Sequence, residues 1–143
     1  MKIETERLIL REFRDDDYDA LREIHSDPEV FRYRSRACFD EAMTRGFLTR
    51  AQRAICEEPR NAYAFAITLR EDGLLIGECG MNRVDSGCNE TYLWNSLNRR
   101  FWRQGYMTES LKGRELPPGT FRGASLRIQI AANRGRLPFS SRL

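Results

Sequence analysis

The stretch A-Y-A-F-A-I-T-L, residues 62–69, alternates as a strand does, and its partner follows at once. Glu71, Asp72 and Gly73 supply a tight turn, and L-L-I-G-E-C-G-M-N-R-V, residues 74–84, returns alongside. The loop D-S-G-C-N then leads to a third strand, Glu90 to Leu97. Three consecutive strands joined this closely predict an antiparallel sheet, which helices elsewhere in the chain must cover.

Those helices lie upstream. E-T-E-R-L-I-L-R-E-F-R predicts a strand over Arg7 to Phe13, and Asp15, Asp16 and Asp17 then offer an N-cap and favourable charges to a helix ending at His25. Its apolar positions Tyr18, Ala20, Leu21 and Ile24 recur at helical spacing. Asp27-Pro28 closes that element and starts a short turn or helix toward Tyr33. A longer helix is predicted over Asp40 to Glu57, with Ala42, Met43, Phe47, Leu48, Ala51 and Ile55 on one face and Pro59 as its stop. After the third strand, F-W-R-Q-G-Y-M-T-E-S-L-K-G, residues 101–113, turns at one glycine into a further helix with no acidic group beside the turn until Glu109. The order is strand, two helices, hairpin, strand, glycine turn and helix, an α/β arrangement of the α+β kind.

At 143 residues the chain is long enough for one domain and its core. No apolar run approaches the roughly 18 residues of a membrane span. The start, M-K-I-E-T-E-R, lacks the apolar stretch of a signal peptide, so a cytoplasmic protein without membrane partners is expected. Cys38, Cys56, Cys79 and Cys88 form no C-x-x-C pair, and the single histidine, His25, is distant from them; reduced structural thiols and no metal site are expected. His25, near its helix end, is read as facing the last carbonyls. The net charge of +3 is uneven, because residues 113–143 hold six arginines and one glutamate. A basic tail of this kind is one route to nucleic-acid binding, but it lacks lysine and interleaved aromatics, and no nucleic-acid partner is expected.

The glycine turn carries the chemistry. A helix N-terminus exposes unpaired N–H groups and partial positive charge, and Gly105 allows an anion to approach closely. Thr108 adds a hydroxyl, and Arg103 and Gln104 add donors. The segment L-W-N-S-L-N-R-R-F-W-R-Q-G-Y-M-T-E-S-L-K resembles the [RQ]-x-x-G-x-[GA] cofactor motif of the GNAT superfamily, the acetyl-CoA-dependent N-acetyltransferases. It is similar to the ribosomal-protein branch (RimJ/RimL type), whose members read L-N-P-x-[YF]-W-G-x-G-Y-[AM]-T-E-A. T-E-R-L-I-L-R-E-F-R-D-D-D and S-D-P-E-V-F-R-Y also resemble that branch, so the likeness covers residues 3–112.

The resemblance implies a mostly antiparallel mixed sheet flanked by helices and acetyl-CoA as co-substrate. Trp102, Arg103, Gln104, Gly105, Tyr106, Met107 and Thr108 form the implied cofactor loop: Trp102 at the first motif position, Gly105 at the glycine, Met107 at the small residue. Arg103 departs from the branch, where glycine is usual. The backbone of Leu97 and Asn98 is implied to face the thioester on a splayed strand edge, with a strand N–H as oxyanion donor. A primary amine, of a protein N-terminus or a small molecule, then attacks directly. Glu90 and Glu78 are the candidate proton acceptors, against the plainer reading of both as solvated strand residues. Tyr92 and Trp94 are read as packing on the sheet.

Beyond Lys112 the chain leaves the pattern. Pro117, Pro118 and Gly119 forbid the family's continuing helix, L-R-I-Q-I-A reads as its next strand, and the last helix and final two strands are not written in the sequence. Residues 113–125 and 132–143 are expected to be a truncated, frame-shifted tail, with a second copy of the chain as candidate cover for the open sheet edge. An acetyl-CoA-binding or interacting remnant without turnover is the alternative to an active enzyme.

Overall fold

A computed structural model describes residues 1–32, 37–84, 90–113 and 125–130; for Val84, Glu90 and 125–130 only the backbone is described. Six strands form one sheet in chain order: β1 (Lys2–Glu4), β2 (Leu8–Arg11), β3 (Ala62–Leu69), β4 (Leu75–Val84), β5 (Glu90–Leu97) and β6 (Ser125–Ile130). Neighbours from β1 to β5 are antiparallel, and β6 joins β5 in parallel. The mixed, mostly antiparallel sheet matches expectation, as do the bounds of β3 and β5. The strand expected over L-R-I-Q-I-A is β6. β1 went unread because three residues are too few to show alternation.

Among the described residues four α-helices cover the sheet: α1 (Tyr18–His25), α2 (Pro28–Phe31), α3 (Glu41–Ala54) and α4 (Tyr106–Lys112). Alternation sends their partners to opposite faces. Ala64 and Ala66 of β3 lie beneath α1 and α3 in a core with Leu21, Ile24, Leu48 and Ala51. Phe65, Ile67 and Leu69 point the other way, toward Leu8, Leu10, Leu97 and Met107 of α4.

The helix starts follow side-chain caps. Asp27 Oδ1 accepts from Glu29 N (2.9 Å) with Pro28 opening α2, and Asp40 Oδ1 accepts from Met43 N (2.7 Å). Asp17 precedes α1 but makes no cap bond; its carboxylate takes both ends of the Arg11 guanidinium at 2.8 Å and the Arg14 amide. α3 stops at Ala54 rather than Glu57 because Ile55, Cys56 and Glu57 donate to carbonyls three residues back, a tightened final turn.

Between Ile67 and Thr68 the β3–β4 register shifts, so Ile76 is an extra residue on β4 and falls on the α4 face beside Cys79. Opposite Trp94, Gly80 leaves the space the indole occupies: a Cβ there would overlap the Trp94 ring and the Tyr63 carbonyl. Trp94 is thereby laid on the sheet, where its ring meets Phe47 edge-on at 5.5 Å, the packing role read from the sequence.

Cys38, Cys56 and Cys79 form no disulfide among the described residues, and Cys79 is buried; Cys88 lies outside the described residues. The expectations for residues 114–124 and 131–143 also lie outside them. Among the described residues no helix is long and apolar enough to cross a membrane, and no cluster of metal-binding side chains occurs. Gly80→Ala is expected to destabilise the fold by about 1–3 kcal/mol through overpacking against Trp94, read as a lower urea midpoint at unchanged slope.

Candidate active site

The site begins at the last described pair of β5 and β6. Their described pairing ends at Asn95↔Ile130, while Ser96 and Leu97 continue beside β4. Asn98 N donates to Ile76 O at 2.8 Å, so that amide belongs to the β4 side and, by strand alternation, the Leu97 amide points away from β4. Asn98 O accepts from Phe101 N at 2.9 Å. Both backbone groups of Asn98 are thus engaged internally, which corrects the expectation that they face a thioester. The Leu97 carbonyl is also taken, by Trp102 Nε1 at 2.7 Å.

The chain next makes one turn of 3-10 helix, Arg99–Phe101, with the Asn98 side chain accepting from Arg100 N. Two left-handed residues follow, Arg103 (φ 61°) and Gly105 (φ 82°), either side of Gln104. Gly105 is the N-cap of α4 and brings no capping side chain, so the amides of Tyr106, Met107 and Thr108 have no intrahelical partner. Gly105 and Thr108 line an open cavity of about 540 Å³ with Thr5, Glu6, Glu109, Lys112 and Gly113. Arg103 and Gln104 are exposed beside it, and the Gln104 side chain donates back to Arg100 O. Trp102 and Met107 instead pack into the core, and Tyr106 lies against Phe101. The positive φ at 103 gives a physical reason for glycine in the related motif: arginine holds the same shape under strain.

Beneath the turn lies a contact that sequence reading missed. Glu109 Oε1 accepts from Thr5 Oγ1 (2.6 Å) and Arg7 N (2.7 Å), and its Oε2 accepts from Arg7 Nε (2.7 Å). Arg7 Nη1 donates to Gln104 O at 2.9 Å, and its guanidinium lies 4.4 Å over the Tyr106 ring. Partial burial pushes the Glu109 carboxyl up, but the Thr5 hydroxyl and the Arg7 amide and guanidinium hold it below its ordinary value. The hydrogen bond that Arg7 donates to Glu109 raises Arg7 in turn. The available signal was Glu109 itself, the acidic residue following an otherwise anion-friendly turn.

On the opposite face, His25 and Glu78 are both buried, with His25 Nε2 3.1 Å from Glu78 Oε2 and His25 Nδ1 3.1 Å from Thr44 Oγ1. A carboxylate only accepts, so Nε2 carries a proton; in the neutral ring Nδ1 accepts from the Thr44 hydroxyl, which itself accepts from Arg22 Nη1. His25 therefore does not face the helix-end carbonyls as expected. It follows Leu21 by one helical turn and shares its buried face. Nor is Glu78 a solvated strand residue: it is 1% exposed and pairs with Ser96, next to Leu97. Glu90 pairs with Val84 at the far end of β5, about 23 Å along the strand from Leu97. The structure separates the two acidic candidates, leaving Glu78 across from Ser96, next to the last described β5–β6 pair.

Two outcomes test this geometry. Arg103→Gly is expected to raise unfolding stability by up to about 1 kcal/mol, the relieved strain less the added chain entropy of glycine, in urea titration. For Glu109 the folded carboxyl lies below its ordinary value of 4.5, so its contribution is complete above that pH and is lost as pH falls through the folded value. The wild-type urea midpoint should therefore fall more steeply below pH 4.5 than that of Glu109→Gln.

Comparison with known proteins agrees with this layout. A relative from Bacillus licheniformis, described as the uncharacterised N-acetyltransferase p20, is 31% identical over 76% of this chain and 60% of its own length. The uncharacterised N-acetyltransferase YnaD of Bacillus subtilis is 28% identical over 77% of this chain and 61% of its own length. The chain thus spans about three-fifths of these curated relatives. Among solved structures, a GNAT-family acetyltransferase from Bacillus anthracis superposes with a TM-score of 0.64 at 24% identity, over 79% of this chain and 63% of that one. RimL, a ribosomal-protein α-N-acetyltransferase solved with coenzyme A, superposes with a TM-score of 0.61 at 18% identity, over 79% and 64%. These likenesses concern the fold. The family model described as an acetyltransferase (GNAT) domain matches residues 7–114, and the chain belongs to that family.

Proposed function

We propose that this protein transfers acetyl from acetyl-CoA to a primary amine. The observation that carries the reading is the turn between β5 and α4. Arg103 and Gly105 are left-handed there, the start of α4 has no capping side chain, and Gly105 and Thr108 line a cavity shared with Thr5 and Glu6. The donors suit a pyrophosphate: the uncapped amides at the start of α4 and, on the cavity wall, the Thr108 hydroxyl and the Lys112 ammonium. The Glu6 carboxylate on the same wall opposes an anion. Family membership and the coenzyme A bound to the RimL neighbour support the identity of the ligand.

Acetyl-CoA supplies an activated thioester. In this reading the Leu97 amide, directed away from β4, holds the thioester oxygen as negative charge develops there. Glu78, one strand across, receives the proton released by the attacking amine, and His25 holds its carboxylate in place. The amine approaches between α1, α3 and the strand ends. A protein N-terminus is the first acceptor proposed and a small-molecule amine the second.

Calorimetric titration with acetyl-CoA, paired with a CoA-release assay over peptides and small amines, tests the proposal. Binding with release supports it, binding without release favours a non-catalytic acetyl-CoA-binding protein, and no binding removes both. Glu78→Gln keeps an oxygen for His25 but cannot take the proton. It should slow release by about 100-fold or more while leaving the acetyl-CoA Kd within about twofold. Full turnover in that variant would remove Glu78 from the role.

A further inference from the structure

The placement of Glu109 is a puzzle if electrostatics alone shapes the cofactor turn. A carboxylate in the first turn of α4, on the cavity wall, repels an anion bound there. Its bonds give it another task. Both oxygens are engaged by the β1–β2 turn: Oε1 by Thr5 Oγ1 and Arg7 N, Oε2 by Arg7 Nε. So held, the Arg7 side chain presents Nη1 to the Gln104 carbonyl at 2.9 Å, and Nη2 sits 3.3 Å from where a Cβ on Gly105 would be.

Peptide geometry completes the inference. In a planar trans peptide the carbonyl of one residue and the amide of the next point in opposite directions. Arg7 draws the Gln104 carbonyl inward, so the Gly105 amide is turned outward. Glycine offers little resistance to a rotation of that peptide, so without an external restraint its amide is poorly fixed. We propose that Arg7, locked by Glu109, is a positioning residue that aims the Gly105 amide at the cofactor pyrophosphate. The inference rests on the acetyl-CoA reading above and assigns it a device reaching from the first turn of the chain.

Titration of CoA into the wild type, Glu109→Gln and Arg7→Lys decides the matter, because positioning and plain charge predict opposite signs. Glu109→Gln removes a negative charge and, on charge alone, tightens binding; if the clamp positions the turn, binding weakens by about tenfold. Arg7→Lys keeps the charge but loses the fork, and should weaken binding by a similar factor. In both variants the Gly105 amide resonance of the free protein should shift while those of β3 stay in place. Unchanged or tighter binding in Glu109→Gln, or unchanged binding in Arg7→Lys, overturns the proposal. If Glu109→Gln does not fold, Arg7→Lys decides alone. A wild type that binds no CoA defeats the acetyl-CoA reading itself, an outcome distinct from equal binding by wild type and variants.

Discussion

One carboxylate ties the first turn of the chain to α4. Glu109 accepts hydrogen bonds from Thr5 and Arg7, residues 104 and 102 positions earlier. α4 has only seven residues, too few to be stable alone in water. Its place against the sheet is therefore set by what grips it: Met107 in the apolar core, and Glu109 on the β1–β2 turn. The start of α4, where the candidate site lies, is therefore held by bonds to residues of the first turn of the chain.

A second polar link crosses the opposite layer. His25 of α1, Thr44 of α3 and Glu78 of β4 form a connected buried set, with Arg22 at its outer end. The ring also lies among Phe31, Phe39 and Phe47, with centroids 4.8–6.1 Å away. Polar groups in such surroundings are costly unless each finds a partner, and the described bonds occupy both ring nitrogens. α1 and α3 are thus registered against β4 at the point where it faces Ser96.

Much of this was legible in the sequence for physical reasons. β3 and β5 were readable because alternation over eight residues has a strong period, and α3 because Asp40 marks its start. The Gly105 turn was readable because glycine there answers a left-handed backbone. What escaped were contacts between segments far apart in sequence. Arg7 and Glu109 each look like ordinary surface charges, and His25 looks like a helix-end residue until its turn is aligned with Leu21. The engagement of Asn98 escaped because it depends on the extra residue at Ile76, a shift in register that leaves no local pattern.

Asn98 has a further consequence. Its amide, carbonyl and side chain are all fastened, to Ile76, Phe101 and Arg100, just as Glu109 is fastened to Thr5 and Arg7. The ten residues between these two anchors have almost no slack. A length change there distorts the loop itself, whereas one at Glu71–Gly73, which projects at the tip of a hairpin, is absorbed in solvent. Evolution can vary the chemistry of the segment 99–108 by exchanging side chains, but hardly by adding or removing residues.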